Sequence, residues 1–420
     1  MKFYKIIKVL LPTITDLASH LTYSPNQREP QYQNITKFFA LAFGIACAKN
    51  TFRAIMLLLA QERMKIYFSE GKIPKSQNTL AAFTTTLDPM EIRQFAYRHF
   101  KDSWRKKRFT PFALQNGQYV ISLDGVETHH SKEKSCDNCL IRTHKKGTPE
   151  EWIEYYHREV VLTIVGPPGS FFIDAETISP KYSETGKDSE TTAAKRLLAR
   201  LHENKILKYF SILVVDALYA KATFIQLVES YNLIPVIRIK QENYNIMKDV
   251  NVLKENVKFS KKYVDNQRDL EYQYREFNNL TSWASYPGTL RIVEIKGKYS
   301  KKKKNKNYHA YWVMPMETSL SLSMELIRII GHLRWKEELN TFRSLKQNFE
   351  IQHTTHHHPV SISIVFLLKC LFHAILSLYL IRKLNPFSNK GYFLKDLLDF
   401  IKTNVLTAKS SLIKGILDTT

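Results

Sequence analysis

The stretch Tyr119-Val-Ile-Ser-Leu-Asp124-Gly125 predicts a strand that delivers a carboxylate to the edge of a sheet. Apolar residues alternate along it, and the aspartate is followed by glycine, the residue that best tolerates a sharp turn. The stretch Phe210-Ser-Ile-Leu-Val-Val-Asp216 repeats this design, because an apolar run again ends on an aspartate before a helix-like segment. Two strands of one sheet would therefore present Asp124 and Asp216 together.

A third carboxylate, Glu338, lies in the predicted helix Leu333-Arg-Trp-Lys-Glu-Glu-Leu-Asn-Thr-Phe-Arg-Ser-Leu-Lys346. Arg334 precedes Glu338 by four residues, which puts the guanidinium and the carboxylate on one helix face. Three carboxylates from distant parts of a chain are the ligand set that a pair of hard cations such as Mg²⁺ or Mn²⁺ needs. For each residue alone, a turn-capping aspartate or a surface ion pair is the alternative interpretation.

The charge of the chain predicts a polyanionic partner. Its 420 residues are 44% hydrophobic, which is enough for a folded protein, and 62 Lys and Arg against 39 Asp and Glu give a formal net charge of +23. DNA or RNA is the commonest partner of so basic a protein, and an anionic membrane surface is the competing interpretation. Four cysteines are too few for a disulfide framework in a chain of this length, so we expect a reducing cytoplasm.

Neither secretion nor a membrane location is expected. Pro12 and Asp16 interrupt the apolar residues near the amino terminus, so no continuous core of a signal peptide forms there. The segment 360–381 is strongly apolar, but Lys369 and His373 lie near its middle, where a charge in a bilayer would be costly. This segment is predicted to be a buried core helix.

Local patterns divide the chain into five parts with an α/β core. Residues 1–115 are predicted to be a helical DNA-binding region, although a helical cap with a solvated basic edge is the alternative. Residues 116–240 form the first part of the core, a meander followed by alternating helices and strands, which predicts a mixed sheet flanked by helices. A β-rich insertion covers 241–315, the second part of the core with the third acid covers 316–385, and a tail covers 386–420.

Cys136-x-x-Cys139 and His144 offer three closely spaced ligands for a structural zinc ion. His130 or His157 would complete a tetrahedral site, which would fasten the loop after Asp124. The alternative is a pair of free thiols in a loop, because three neighbouring ligands are weaker evidence than two complete pairs.

Several motifs occur together in a fixed order. They are Asp124-Gly125, Cys136-x-x-Cys139, Val215-Asp216-Ala-Leu-Tyr219-Ala, Arg334-Trp335-x-x-Glu338, Phe342-x-x-Leu345-Lys346, His353 and His358-Pro359. In this order they resemble the insertion-sequence transposases of the DDE class, in particular a bacterial branch with a Cys-x-x-Cys loop after the first aspartate. The resemblance spans about residues 75 to 385, and the glutamate motif is its most specific part.

The resemblance implies an RNase H-like catalytic domain and a metal-dependent reaction on DNA. Such enzymes hydrolyse the ends of a mobile element and transfer the freed 3′-hydroxyl into target DNA. Asp124 would be the bridging metal ligand, Asp216 and Glu338 would complete the two sites, and Arg334 and Lys346 would hold DNA phosphates. The resemblance further implies double-stranded terminal inverted repeats and target DNA as partners, a homodimer in the synaptic complex, and action at the bacterial nucleoid.

Two alternatives to an active transposase stay open. The first is a zinc-stapled DNA-binding protein that descends from a transposase but has lost catalysis. Glu337 and Leu339, which differ from the residues usual beside the motif glutamate, favour it. The second is a nuclease of the same fold that hydrolyses DNA without joining strands.

Overall fold

The computed structural model describes residues 2–23, 32–68, 73–180, 188–240, 244–260, 262–265, 270–283, 285–299, 308–383 and 393–418. Its helices are α1 (Phe3–His20), α2 (Asn34–Ala46), α3 (Phe52–Leu59), α4 (Gln77–Thr84), α5 (Pro89–Arg105), α6 (Glu190–Glu203), α7 (Ala222–Ser230), α8 (Asn245–Leu253), α9 (Met316–Ser319), α10 (Met324–Lys336), α11 (Arg343–Asn348), α12 (Pro359–Lys383), α13 (Leu394–Asn404) and α14 (Ser410–Leu417). A π-helical segment, Glu337–Phe342, joins α10 to α11.

The strands are β1 (Val120–Ser131), β2 (Leu140–His144), β3 (Trp152–Gly166), β4 (Gly169–Ile178), β5 (Ile212–Val215), β6 (Ile234–Ile239), β7 (Tyr263–Asp265), β8 (Leu270–Leu280), β9 (Leu290–Tyr299) and β10 (Tyr308–Pro315). They form one mixed sheet in the order β2-β3-β1-β5-β6-β10-β9-β8-β7. The strand β4 also pairs with β3, further along β3 than β2 does. β1, β5 and β6 are parallel, whereas β3 and β10 run antiparallel to their neighbours. The predicted mixed sheet flanked by helices is confirmed.

The β-rich segment predicted as an insertion continues the central sheet. Strand β10 pairs antiparallel with β6, and β9, β8 and β7 extend the sheet outward from it. This pairing gives partners to backbone groups that the edge of β6 would otherwise expose. On β10, Trp312 is fully buried against α10 at Gly331, where a Cβ atom would collide with the indole ring. Glycine at this position therefore lets α10 pack closely on the sheet.

Helix α12 forms the core of the helical part of the protein. It contacts α2, α4, α5 and α13 and also lies against β4. By length and composition it could cross a membrane, but 83% of its most apolar window is buried inside the protein. Lys369 is tolerated there because its Nζ donates to the carbonyl oxygen of Glu350 at 3.1 Å. The expected buried core helix is what the structure shows, and the predicted tail contains α13 and α14, which pack on α1.

A buried ionic network fastens the amino-terminal helices to the sheet. Asp174 on β4 is 1% exposed and accepts from Arg93 Nε of α5 at 3.1 Å and from Arg200 Nε of α6 at 3.0 Å. The hydroxyl of Tyr97 on α5 also donates to Asp174. Because buried carboxylates need partners, this network fixes α5 and α6 on one face of the sheet.

Candidate active site

Asp124 and Asp216 lie level with each other on neighbouring parallel strands. The register pairs Val120 with Ile212 and Ser122 with Val214, so each aspartate follows two residues after the last pair. Adjacent strands lie about 4.8 Å apart, and residues in register on them share a face. The sheet therefore presents the two carboxylates side by side, as their positions after apolar runs predicted.

Strand β1 does not end at Asp124, contrary to the expectation from the sequence. It continues to Ser131, and Asp124 is paired with Val161 of β3. β3 is long enough to pair with the whole of β1, whereas β5 ends at Val215. Asp124 therefore lies two residues beyond the last pair between β1 and β5.

Each aspartate is held by a backbone N–H group. Asp124 Oδ1 accepts from the N–H of Gly125 at 2.8 Å, and Asp216 Oδ1 accepts from the N–H of Leu218 at 2.8 Å. The second bond caps a short 3₁₀ turn that begins at Ala217. In each carboxylate the Oδ2 atom carries the longer-range contacts, at 3.3 Å to Arg334 Nη1 for Asp124 and at 3.8 Å to Lys240 Nζ for Asp216.

The π-helical segment separates two consecutive glutamates. Glu337 is fully buried beside the hydroxyls of Ser122 and Thr163, which are paired across β1 and β3. Glu338 is exposed, and its charge acts on Asp124, while burial and the charge of Asp124 raise the pKa of Glu337. Ser122 and Asp124 lie two residues apart on one face of β1, so a helix whose residue 337 covers Ser122 brings residue 338 towards Asp124.

Contacts with the β3–β4 turn hold the π-helical segment in place. Ser170 Oγ lies 2.6 Å from Thr341 Oγ1 and donates to the carbonyl oxygen of Lys336 at 3.1 Å. Lys336 Nζ in turn donates to the carbonyl oxygen of Gly166 at 3.1 Å. These bonds fix the helix at both sides of Glu337 and Glu338, so the position of Glu338 depends on the tight turn between Gly166 and Gly169.

Arg334 is directed at the carboxylates. Its side chain is 8% exposed, stacks over Trp335 at 5.0 Å and donates from Nη1 to Asp124 Oδ2. The guanidinium is thus largely withdrawn from the surface, where it had been expected to hold a DNA phosphate. Lys346, the other residue expected to hold a phosphate, is exposed on α11. The phosphate contacts of both residues stay predictions.

The electrostatics of the site favour a bound cation. Burial raises the pKa of Asp124, and the charges of Asp216 and Glu338 raise it further, while Arg334 and the N–H of Gly125 partly offset the rise. Clustered carboxylates repel one another, and a divalent ion relieves that repulsion more effectively than one guanidinium. The oxygen donors present here therefore suit a hard cation such as Mg²⁺.

Glu190 is a fourth acid beside the site, and the sequence analysis did not identify it. Burial raises the pKa of Glu190, and the charges of Asp124 and Asp216 add to the rise. Tyr219 donates to its Oε1 at 2.9 Å, and Arg158 lies 2.5 Å from its Oε2. A Cβ atom at residue 125 would collide with this carboxylate, so the glycine after Asp124 makes room for Glu190. That glycine was the only signal in the sequence.

Four potential zinc ligands converge in a second cluster, but His144 is not among them. Cys136, Cys139, His157 and His357 have ligand atoms that all lie within 4.8 Å of one another. His144 instead stacks on Trp152 at 4.0 Å and bonds through Nε2 to Glu154 at 2.7 Å. The prediction of His144 as a zinc ligand is therefore wrong, because the register of β2 on β3 places His144 opposite Trp152.

Of the two histidines considered as a further ligand, the structure brings only one to the cysteines. His157 faces them from β3, whereas the His130 ring is exposed and bonds to Glu154 at 3.0 Å. His357 belongs to the histidine-rich segment before α12, and the sequence gave no reason to link it with the cysteines. His129 is the register partner of His157 and shares its face of the sheet, so His130, the next residue along β1, points to the opposite face.

A family model for the transposase DDE domain matches residues 115–375, which is well over half of the chain. The chain belongs to the DDE transposase family. Its members are enzymes of the nuclease and polynucleotidyl-transferase class that act on DNA with divalent metal ions. The match covers every residue of the site described above, from Asp124 to Lys346. No curated protein matches the chain.

Proposed function

We propose that this DDE transposase cuts the ends of its own mobile element and transfers the freed 3′-hydroxyl into target DNA. Asp124, Asp216 and Glu338 would hold two Mg²⁺ or Mn²⁺ ions, with Asp124 shared between them. When bound, such ions supply an activated oxygen nucleophile at neutral pH and stabilise the charge on the leaving oxygen. The observation that carries this proposal is the level placement of the two aspartates in the register of β1 and β5.

The residues of the chain would contribute orientation. The N–H groups of Gly125 and Leu218 each hold one oxygen of an aspartate, so the Oδ2 atoms would be the ones that bind the metal ions. Arg334 would oppose the rise in the pKa of Asp124 that burial causes, since a cation close to a carboxylate favours the charged form. Lys346 would contact the DNA backbone from α11, because an exposed ammonium binds phosphate as a point charge.

A basic cleft supports the proposal that the helical amino-terminal region binds DNA. The cleft has a volume of about 330 Å³ and lies between α1, the end of α5 and the end of α12. Burial lowers the pKa of Arg108 in this cleft, and the nearby charge of Arg382 lowers it further. Crowded cations of this kind are stabilised by an anion, so the cleft suits a phosphate of the DNA backbone. The other basic or imidazole side chains that line it are Lys5, Lys8, His99 and Lys383.

The decisive assay is Mg²⁺-dependent nicking of the inverted repeats that flank the gene. Wild type should nick the repeats, and Asp216→Ala should bind them equally well but fail to nick them. Equal nicking by the two proteins would reject the assigned site. Binding without nicking by wild type would favour the inactive, transposase-derived DNA-binding protein.

A strand-transfer assay with pre-cut ends separates transposition from simple hydrolysis. Joined products are expected with wild type, since the same site would act on the 3′-hydroxyl in place of water. Nicking without joining would favour the nuclease alternative. We propose that two copies hold the two ends during this reaction, because synapsis needs two active sites, and that it takes place on cytoplasmic DNA.

A further inference from the structure

Two thiols and two imidazoles from three separate segments of the chain meet at one point. Cys136 and Cys139 lie in the loop between β1 and β2, His157 lies on β3, and His357 lies immediately before α12. Cys139 and His157 are buried, and the other two are half-buried. Cys139 and His357 are 218 residues apart in sequence, so local chain geometry cannot account for their approach.

The distances between these atoms are those of a tetrahedral zinc site. Zn–S bonds of about 2.3 Å and Zn–N bonds of about 2.0 Å at tetrahedral angles place two sulfurs about 3.8 Å apart and a sulfur and a nitrogen about 3.5 Å apart. The Sγ atoms of Cys136 and Cys139 are 3.8 Å apart. His157 Nε2 lies 3.2 Å from Cys136 Sγ and 3.3 Å from Cys139 Sγ, and His357 Nε2 lies 3.5 Å from Cys139 Sγ.

We propose that Cys136, Cys139, His157 and His357 bind one structural Zn²⁺ ion. Four protein ligands close the coordination shell, which is typical of structural rather than catalytic zinc. The N–H of Cys136 donates to Cys139 Sγ at 3.3 Å, a bond that favours a thiolate at this position. A disulfide would need the sulfurs to approach to about 2.05 Å, and it would give the two converging imidazoles no partner.

The ion would fasten together the two halves of the catalytic domain. His157 lies on β3 four residues before Val161, which is paired with Asp124, so the zinc site is about 13 Å along the strand from that carboxylate. His357 follows the segment that carries Glu338. Zinc would therefore fix the strand pair bearing Asp124 against the chain that leads away from Glu338. A zinc ion bound to Cys139 and His357 would also close a loop of 218 residues. Closing so long a loop restricts the unfolded chain and thereby stabilises the folded state.

Metal analysis of the purified full-length protein tests the proposal without any DNA. Wild type should carry one zinc per chain, and Cys139→Ser and His357→Asn should each lower zinc affinity at least about 10-fold. His144→Asn is the matched control, since His144 is a histidine of the same region that bonds to Glu154, and it should retain full zinc. Wild type without zinc, or His357→Asn with unchanged affinity, would overturn the proposal.

The variant His357→Cys distinguishes a lost ligand from a misfolded protein. A thiolate can replace the imidazole, so this variant should keep one metal ion per chain. After replacement of zinc by Co²⁺, its sulfur-to-cobalt absorption should exceed that of wild type, because three thiolates rather than two would bind the ion. Equal absorption in the two proteins would show that residue 357 is not a ligand. A wild-type protein with a Cys136–Cys139 disulfide and no metal would equally refute the site.

Discussion

Arg334 Nη1 lies 3.3 Å from Asp124 Oδ2, although 210 residues separate the two in sequence. This contact joins the first strand of the sheet to the helix that leads into Glu338. Both side chains are largely buried, at 8% and 24% exposure. The guanidinium therefore opposes the rise in the pKa of Asp124 that burial and two other acids cause.

Replacing Arg334 should move the pH dependence of the reaction. In Arg334→Met the pKa of Asp124 rises further, because the cation that lowers it is gone, so the acid limb of the nicking rate should move to higher pH. Arg334→Lys keeps a positive charge nearby and should shift the limb less. The measurement is the pH profile of Mg²⁺-dependent nicking for the three proteins. An unchanged acid limb in Arg334→Met would contradict this role.

The Asp174 network should contribute strongly to stability. Asp174→Ala removes the buried carboxylate that Arg93 and Arg200 share, although Arg200 keeps its ion pair with Glu176, and removal of one partner of a buried pair costs about 3–5 kcal/mol. The control is Asp102→Ala, which removes an exposed ion pair with Arg105 and should leave stability unchanged. Urea unfolding measures both. Equal midpoints for the two variants would show that the network does not fasten the helices to the sheet.

His373 should make the protein less stable in mild acid. It is fully buried in α12, and burial lowers the pKa of His373 to about 4. An unfolded histidine titrates near 6.5, so the unfolded chain takes up this proton first, and stability falls between pH 6.5 and 4 by up to about 3 kcal/mol. His373→Leu removes this loss. The free-energy difference between variant and wild type should therefore change over this pH range, and a constant difference would refute the assignment.

The basic cleft should account for part of the salt dependence of DNA binding. If Arg382 contacts one phosphate, Arg382→Gln should reduce the slope of log affinity against log salt by about one. Lys248→Gln removes an exposed charge on α8, outside the cleft, and should leave the slope unchanged. Fluorescence anisotropy with a fixed DNA duplex at several salt concentrations gives the slopes. Identical slopes for both variants would argue against phosphate binding in the cleft.

Local sequence predicted the parts of the site that depend on strand ends and helix faces. Asp124 and Asp216 each follow an apolar run, and the parallel register of β1 and β5 places them level with each other, although β1 continues past Asp124. Glu338 was identified through the spacing of its motif. The π-helical segment that carries Glu337 and Glu338 could not be predicted, because residue types do not indicate this backbone pattern.

Sequence patterns could not predict the contacts between residues that are far apart in the chain. His357 approaches Cys139 only because α12 packs against the sheet, and nothing in the spacing of a histidine-rich segment indicates that packing. Glu190 was not identified because a long-range contact also brings it to the site, and in sequence it is only an acid in the first turn of α6. The place where the β-rich segment joins the sheet could not be predicted, because strand patterns do not show which edge a strand joins, and here β10 joins β6.

The neighbouring glutamates give the most direct test of the three-carboxylate site. Glu338→Gln should lower Mg²⁺-dependent nicking at least about 100-fold, because it removes a charged metal ligand. Glu337→Gln should nick at close to the wild-type rate, since Glu337 is fully buried beside Ser122 and Thr163 and glutamine has nearly the same shape. Loss of nicking in Glu337→Gln with full activity in Glu338→Gln would contradict the assignment of Glu338 to the site.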